Sequence, residues 1–278
     1  MIPRAVRSSS RPWGSGGVFS THYTRSIARQ IRFYTAEAAS CGGVQFNYST
    51  KPTKLQTVAL MSGINYQDAG ENMEKHVRRA LDFKAGKLDQ SEPPLPTLLN
   101  FEMDPVYTCG RRERGKLSSA EIEHFKADGR AQFVETFRGG QTTFHGPGQL
   151  VVYPILDLRA FGIPPKCYVS LLEKSIINTL ARYGIDSKTT QDTGVWINDQ
   201  EKIAAIGIHC RRNVTSHGIA LNINTDTWWF DRIVACGLPD KSTTSMANLG
   251  VKTTVNEVAR VFSQEMAKAL ECELHFIN

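Results

Sequence analysis

An α+β fold, with helices and strands alternating irregularly, is what this 278-residue sequence predicts. Two observations carry that reading. Apolar residues recur at helical spacing in a few separate segments, and between them lie short strand-like runs that do not alternate one-for-one with the helices. Such an order fits α+β, or mixed α/β, better than a doubly wound parallel sheet. There is no internal repeat and no apolar run of about 18 residues, which argues against a membrane span. With 41% hydrophobic residues, the chain can bury a core.

In chain order, Leu55 to Met61 (LQTVALM) predicts a first strand. From Tyr66 to Ala85, the residues Met73, Val77, Ala80, Leu81 and Phe83 fall on or near one helical face. After the proline-rich loop Ser91 to Pro96, PTLLNFE (96–102) and VYTC (106–109) predict strands around Asp104-Pro105. RRERGK (111–116) is a basic loop, and Ser118 to Asp128 a short helix capped by Ser119, with Ile122 and Phe125 as its apolar contacts. Lys166 to Tyr183 carries the stripe Val169, Leu172, Ile176, Leu180 and Tyr183, and Gly184 stands where a helix-ending glycine belongs. Val195-Trp196-Ile197, the turn 198–201 and the strand Ile203 to His209 form a hairpin by pattern, followed by a strand from Gly218 to Ile223. Thr254-Val-Asn-Glu257 has the spacing of a capping box and opens a last helix, to about Leu270.

The net charge of +6 is unevenly placed. Residues 1–36 hold six arginines (Arg4, Arg7, Arg11, Arg25, Arg29, Arg32), no lysine and no acid; without them the remaining 27 basic residues match the 27 acidic ones. A basic isoelectric point therefore gives no reason to expect nucleic-acid binding. The segment is also serine-rich, and Ile27, Ile31 and Tyr34 lie at helical spacing opposite arginines, the composition of a mitochondrial transit peptide. Residues 37–54 predict a linker, and 55–278 a catalytic domain. The six cysteines are scattered without a CxxC pair, which indicates neither a zinc site nor a redox dithiol; they read as free thiols.

Three stretches could carry chemistry. RGGQTTFHGPGQLVVYPI (138–155) places four glycines in its first eleven residues, more than a turn requires. Bare backbone lets N–H groups face a ligand; Arg138 offers a fixed charge and His145 an imidazole. The spacing is neither GxGxxG nor GxxxxGK[ST], and a structural hairpin would also use such glycines. Lys202 heads the apolar run EKIAAIGI, either as a solvated strand-end charge or as a group beside the small residues Ala204, Ala205 and Gly207. Cys236, in IVACGLPD, is followed by turn residues; it is either a small buried hydrophobe or, beside a cation, a nucleophile.

The order RGGQTTFHGPGQ…YPI, EKIAAIGI, HGIALNIN, IVACGL resembles the lipoyl(octanoyl) transferases, from about Leu60 to Met246. One departure is visible: Ala235-Cys236-Gly237 stands where family members often have Pro-Cys-Gly. The resemblance implies the mixed sheet flanked by helices of biotin and lipoate protein ligases. It implies octanoyl transfer from octanoyl-acyl carrier protein to the lysine of lipoyl domains, in 2-oxoacid dehydrogenase complexes and the glycine cleavage H protein, in the mitochondrial matrix. Cys236 is then the nucleophile and Lys202 its acid–base partner. Arg138, Gly139, Gly140, Gln141, Thr142, Thr143, Phe144 and His145 line the thioester site. Ala205, Ile206, Gly207, Gly218, Ile219 and Ala220 line the acyl tunnel. Neither ATP, metal nor another cofactor is implied. The alternative within the same fold is an ATP-dependent lipoate or biotin ligase, which needs no nucleophilic cysteine; a silent lipoyl-domain binding module is a third.

Overall fold

The computed structural model describes residues 51–233 and 241–277. The transit-peptide segment, most of the linker and Cys236 lie outside the described residues.

Among the described residues, nine strands make one mixed sheet. The central order is β11 (Ser242–Thr243), β9 (Glu201–Arg211), β10 (Val214–Asn222), β7 (Gln149–Ile155), β3 (Thr97–Met103), β1 (Lys54–Val58), β12 (Glu273–Ile277). β2 (Met61–Ile64) pairs with β3, and β8 (Val195–Trp196) with β9. The middle of the sheet is antiparallel (β3–β7–β10–β9) and its β1 flank parallel. A second, three-stranded sheet has the order β5 (Gln132–Glu135), β4 (Val106–Cys109), β6 (Thr143–His145).

β7 and β10 are buried on both faces; β7 accordingly reads as a near-continuous apolar run without alternation, whereas β10 buries Thr215, Ser216, His217 and Asn222 among its apolar residues. One face packs on α3 (Pro165–Ala181) and α4 (Val255–Leu270), with Leu172, Ile176, Phe262 and Met266 against Leu150, Val152 and Leu221. The other packs on α1 (Tyr66–Lys84), with Tyr66, Ala69, Met73 and Val77 against Leu99, Val151 and Tyr153. Helices thus cover both sides of a mixed sheet, as the sequence predicts. No helix among the described residues is long and apolar enough to cross a membrane.

Differences from the sequence reading are local. The first strand breaks after Val58 and resumes at Met61. The cap of α2 (Ser119–Lys126) is Ser118, not Ser119: its hydroxyl accepts from Glu121 N at 3.2 Å, and the Glu121 carboxylate accepts from Ser118 N at 2.7 Å. The capping box at Thr254 and Glu257 forms as expected. Cys109, Cys210 and Cys272 are free, whereas Cys167 is disulfide-bonded, against the expectation of free thiols; spacing along the chain does not reveal which cysteines the fold brings together.

Candidate active site

The glycine-rich segment 138–145 runs from the loop after β5 into β6 of the small sheet, and its loop lies against the large sheet. It is fixed at three places. Gly139 N donates to Ile208 O of β9 at 2.9 Å. The Arg138 guanidinium bonds the Thr108 hydroxyl (2.7 Å from Nη2) and the carbonyls of Gly139 and Gln141 at 3.0 and 2.9 Å. Glu113, in the basic loop, accepts from Thr142 N and Oγ1 at 2.6 and 2.7 Å.

Between this loop and the β9–β10 hairpin runs a narrow groove. Arg138, Gly140, Gln141, Thr142, Thr143 and His145 line one side, and Ala205, Ile206, Gly207, Gly218, Ile219 and Ala220 the other; Lys202, Tyr153 and His217 also reach it. Its void is about 50 Å³. A wider mouth of about 250 Å³ opens beside Gly139, Thr193 and Lys202. An apolar site that holds benzene is about 150 Å³. The groove must therefore widen to take an eight-carbon chain.

Lys202 is buried, with 6% of its surface exposed. Its Nζ donates to Thr193 O at 3.2 Å and lies 4.6 Å from the Trp196 ring centre. The β8–β9 hairpin explains the approach: Gly194 has φ +132°, and a Cβ there would stand 2.7 Å from Ala204 O and 3.3 Å from Lys202 Cε. Glu173, on α3, accepts from Gly194 N at 3.0 Å. Burial raises its carboxyl pKa, while the Gly194 bond and the Lys202 charge oppose that rise. The solvated strand-end reading of Lys202 is thereby excluded.

His145 Nδ1 is 2.8 Å from Gln149 Oε1. Both protons of Gln149 Nε2 are committed, to Phe144 O at 3.2 Å and Asn222 Oδ1 at 2.8 Å. Gln149 Oε1 is then an acceptor, so Nδ1 carries the imidazole proton and Nε2 keeps a lone pair. Asn222 in turn donates to Thr244 O at 3.0 Å. Burial first, then the Arg138 charge, lowers the His145 pKa to about 4 against the Gln149 bond, and the ring is neutral at pH 7.

A family model described as the lipoyl protein ligase A/B catalytic domain matches residues 77–267. The chain belongs to this family. A probable octanoyltransferase of Schizosaccharomyces pombe is 48% identical over 75% of this chain and 94% of its own length. A mitochondrial octanoyl-acyl-carrier-protein:protein N-octanoyltransferase of Danio rerio is 46% identical over 70% and 83%. Among solved structures, a P. falciparum lipoate complex (LipL1) superposes with a TM-score of 0.58 at 19% identity, covering 81% of this chain and 66% of that one. A putative lipoate protein ligase from T. acidophilum with bound lipoic acid gives 0.57 at 12%, covering 80% and 88%. At those identities the likeness is one of fold.

Within this family member, most of the residues expected at the site meet in one groove. Two, Phe144 and Gly139, lie elsewhere. Phe144 is fully buried in an aromatic cluster, stacked on Trp229 with ring centres 4.8 Å apart, and does not line the groove. Arg138 lines the groove as expected; its guanidinium also bonds the carbonyls of Gly139 and Gln141, and both its Cδ and its Nη1 lie beside Gly207. Gly139 borders the mouth and not the groove. Sequence reasoning missed Glu173, Gly194, Thr193 and Trp196, which surround Lys202. A glycine directly before a Val-Trp strand start was the available signal.

Proposed function

We propose that this protein is an acyltransferase that moves octanoyl from octanoyl-acyl carrier protein to the lysine of lipoyl domains, through an octanoyl thioester on Cys236. The observation that carries the reading is the buried Lys202 ammonium, set at the mouth of a groove walled by small residues. The curated relatives named octanoyltransferases support it, and so do the mitochondrial ones for a mitochondrial location.

In this reading the Cys236 thiolate attacks the thioester carbonyl of the donor. The tetrahedral adduct collapses, the pantetheine sulfur leaves, and Lys202 supplies its proton. The acceptor lysine amine then attacks the acyl-Cys236 carbonyl; the Cys236 sulfur leaves, and Lys202 takes the proton lost by the amine. One thioester is exchanged for another and then for an amide, so the sequence needs no phosphoryl donor. The neutral His145 offers Nε2 as an acceptor facing the same groove. The acceptors are the lipoyl domains of 2-oxoacid dehydrogenases and the glycine cleavage H protein, in the matrix, after removal of an N-terminal segment within residues 1–36.

Intact mass after incubation with octanoyl-acyl carrier protein, without ATP, tests the chemistry. One octanoyl adduct on the Cys236 peptide, absent in Cys236→Ala, is expected. Acylation that requires ATP, or an equally stable adduct on another cysteine, overturns it. A reporter carrying residues 1–36 should enter mitochondria and stay outside when the six arginines are glutamines; import of that variant refutes the targeting role.

A further inference from the structure

The groove has a polar end that the chemistry at Lys202 does not use. His217, in β10, sits at φ +55°, a left-handed conformation in the middle of a strand. Such strain in a non-glycine residue persists only where the surroundings impose it, and it concentrates at ligand sites. The side chain is 8% exposed, lines the groove, and leaves Nδ1 buried without a hydrogen-bond partner. Its ring stands edge-on to Tyr153, centres 5.4 Å apart, and its backbone N–H points at Met73 Sδ of α1 at 3.2 Å. The imidazole is therefore walled in on the α1 side and faces the groove.

Its place along the sheet gives it a meaning. His217 pairs with Ile208, six residues along β9 from Lys202. At about 3.3 Å per residue, the two backbones are roughly 20 Å apart. The lysine and histidine side chains reach into that span from its two ends. An extended octanoyl chain, seven C–C bonds of about 1.5 Å each, occupies on the order of 9 Å of it.

We propose that His217 is the end wall of the acyl groove and sets the length of acyl chain the enzyme transfers. The inference rests on the proposed octanoyl-transfer reading. Nδ1 is already buried, so the ring sits in a closed setting. Further methylenes would press on an imidazole braced by Tyr153 and would overpack the end of the groove.

The test compares transfer from octanoyl-, decanoyl- and dodecanoyl-acyl carrier protein to a lipoyl domain, for the wild-type chain, His217→Gly and His217→Asn. Both variants suit the positive φ, and the glycine relieves it, so both should fold; thermal melts check this. The decanoyl-to-octanoyl rate ratio should rise about tenfold in His217→Gly, equivalent to 1.4 kcal/mol, and by less in His217→Asn. A ratio equal to wild type in both folded variants overturns the proposal, whether or not overall activity falls. Failure of the wild-type chain to transfer octanoyl at all would instead overturn the proposed function, and is read first.

Discussion

Gly194→Ala is the most direct way to ask whether the hairpin is built around Lys202. At φ +132° an L side chain is strained by about 1–3 kcal/mol. The added Cβ would also meet Ala204 O at 2.7 Å, a backbone atom across the β8–β9 pairing that cannot swing aside. Taken with overpacking of about 1–3 kcal/mol, the expected loss is centred on about 4 kcal/mol. In a chain of this size that lowers Tm by about 8–16 °C. The cheapest relief moves β8 away from β9, which carries Thr193 O off Lys202 Nζ. Gly184→Ala is the control: φ is +74° and nothing lies within 4 Å, so it pays backbone strain alone and leaves the lysine in place. Octanoyl transfer by Gly194→Ala, assayed well below its Tm, should fall at least tenfold with little change in donor KM, while Gly184→Ala keeps wild-type turnover. Equal destabilisation and equal turnover in the two variants would refute the claim that Gly194 is reserved for the lysine.

Three further outcomes follow from the site. The His145 pKa is about 4 in the fold against about 6.5 when unfolded, so its contribution is complete above pH 6.5 and is lost as pH falls toward 4. Urea melts should lose on the order of 3 kcal/mol over that window, in part restored by His145→Gln, and an unchanged pH slope in the variant counts against the buried neutral ring. Lys202→Arg keeps a charge but is no base near neutral pH: Cys236 alkylation should persist while amide formation collapses, and near wild-type transfer would end the acid–base assignment. Arg111 and Arg112 are exposed, whereas Arg114 is 3.5 Å from Glu135 and stacks 4.0 Å over Phe137. Arg111→Glu with Arg112→Glu should slow transfer from the acidic carrier protein through on-rate, and spare transfer from octanoyl-pantetheine; equal losses with both donors would reject a docking role.

The helices and central strands were legible because their apolar spacing is set by burial on one or two faces, as in the α1 stripe Met73 and Val77 and the all-buried run of β7. β12 was not, since edge residues mixing partial burial with exposure, such as Phe276 at 57% exposed, carry no clear period. The groove residues were legible as motifs, but the role of Lys202 was not. EKIAAIGI is consistent with a solvated strand end, and only the return of β8 places Trp196 and Thr193 over the ammonium. His217 was equally hidden, because neither its φ nor its unpartnered nitrogen has a sequence signature.

The glycines themselves turn out to serve two purposes at once. A Cβ on Gly110 would stand 2.2 Å from Gly140 O, one on Gly207 3.0 Å from Gly139 O, and one on Gly218 2.2 Å from Val152 O. Each absence of a side chain is used by another stretch of backbone. These contacts, with the Gly139 N–H to Ile208 carbonyl bond, press the 138–145 loop onto β9 and press β10 onto β7. A ligand can run along backbone in this groove because the backbones that form it are already in close contact. The same contacts explain why the void is small. The loop is pinned to β9 by Gly139, to β4 by Arg138 and to the basic loop by Glu113, so widening it breaks bonds on one of those three sides. The Glu113 pin lies in the loop that also carries Arg111 and Arg112. A carrier protein docking on those arginines would act on the carboxylate that holds Thr142, coupling donor arrival to opening of the groove. In that case the Arg111→Glu, Arg112→Glu variant should lose octanoyl transfer from the carrier protein more steeply than Glu113→Gln, which loosens the pin without removing the docking charge.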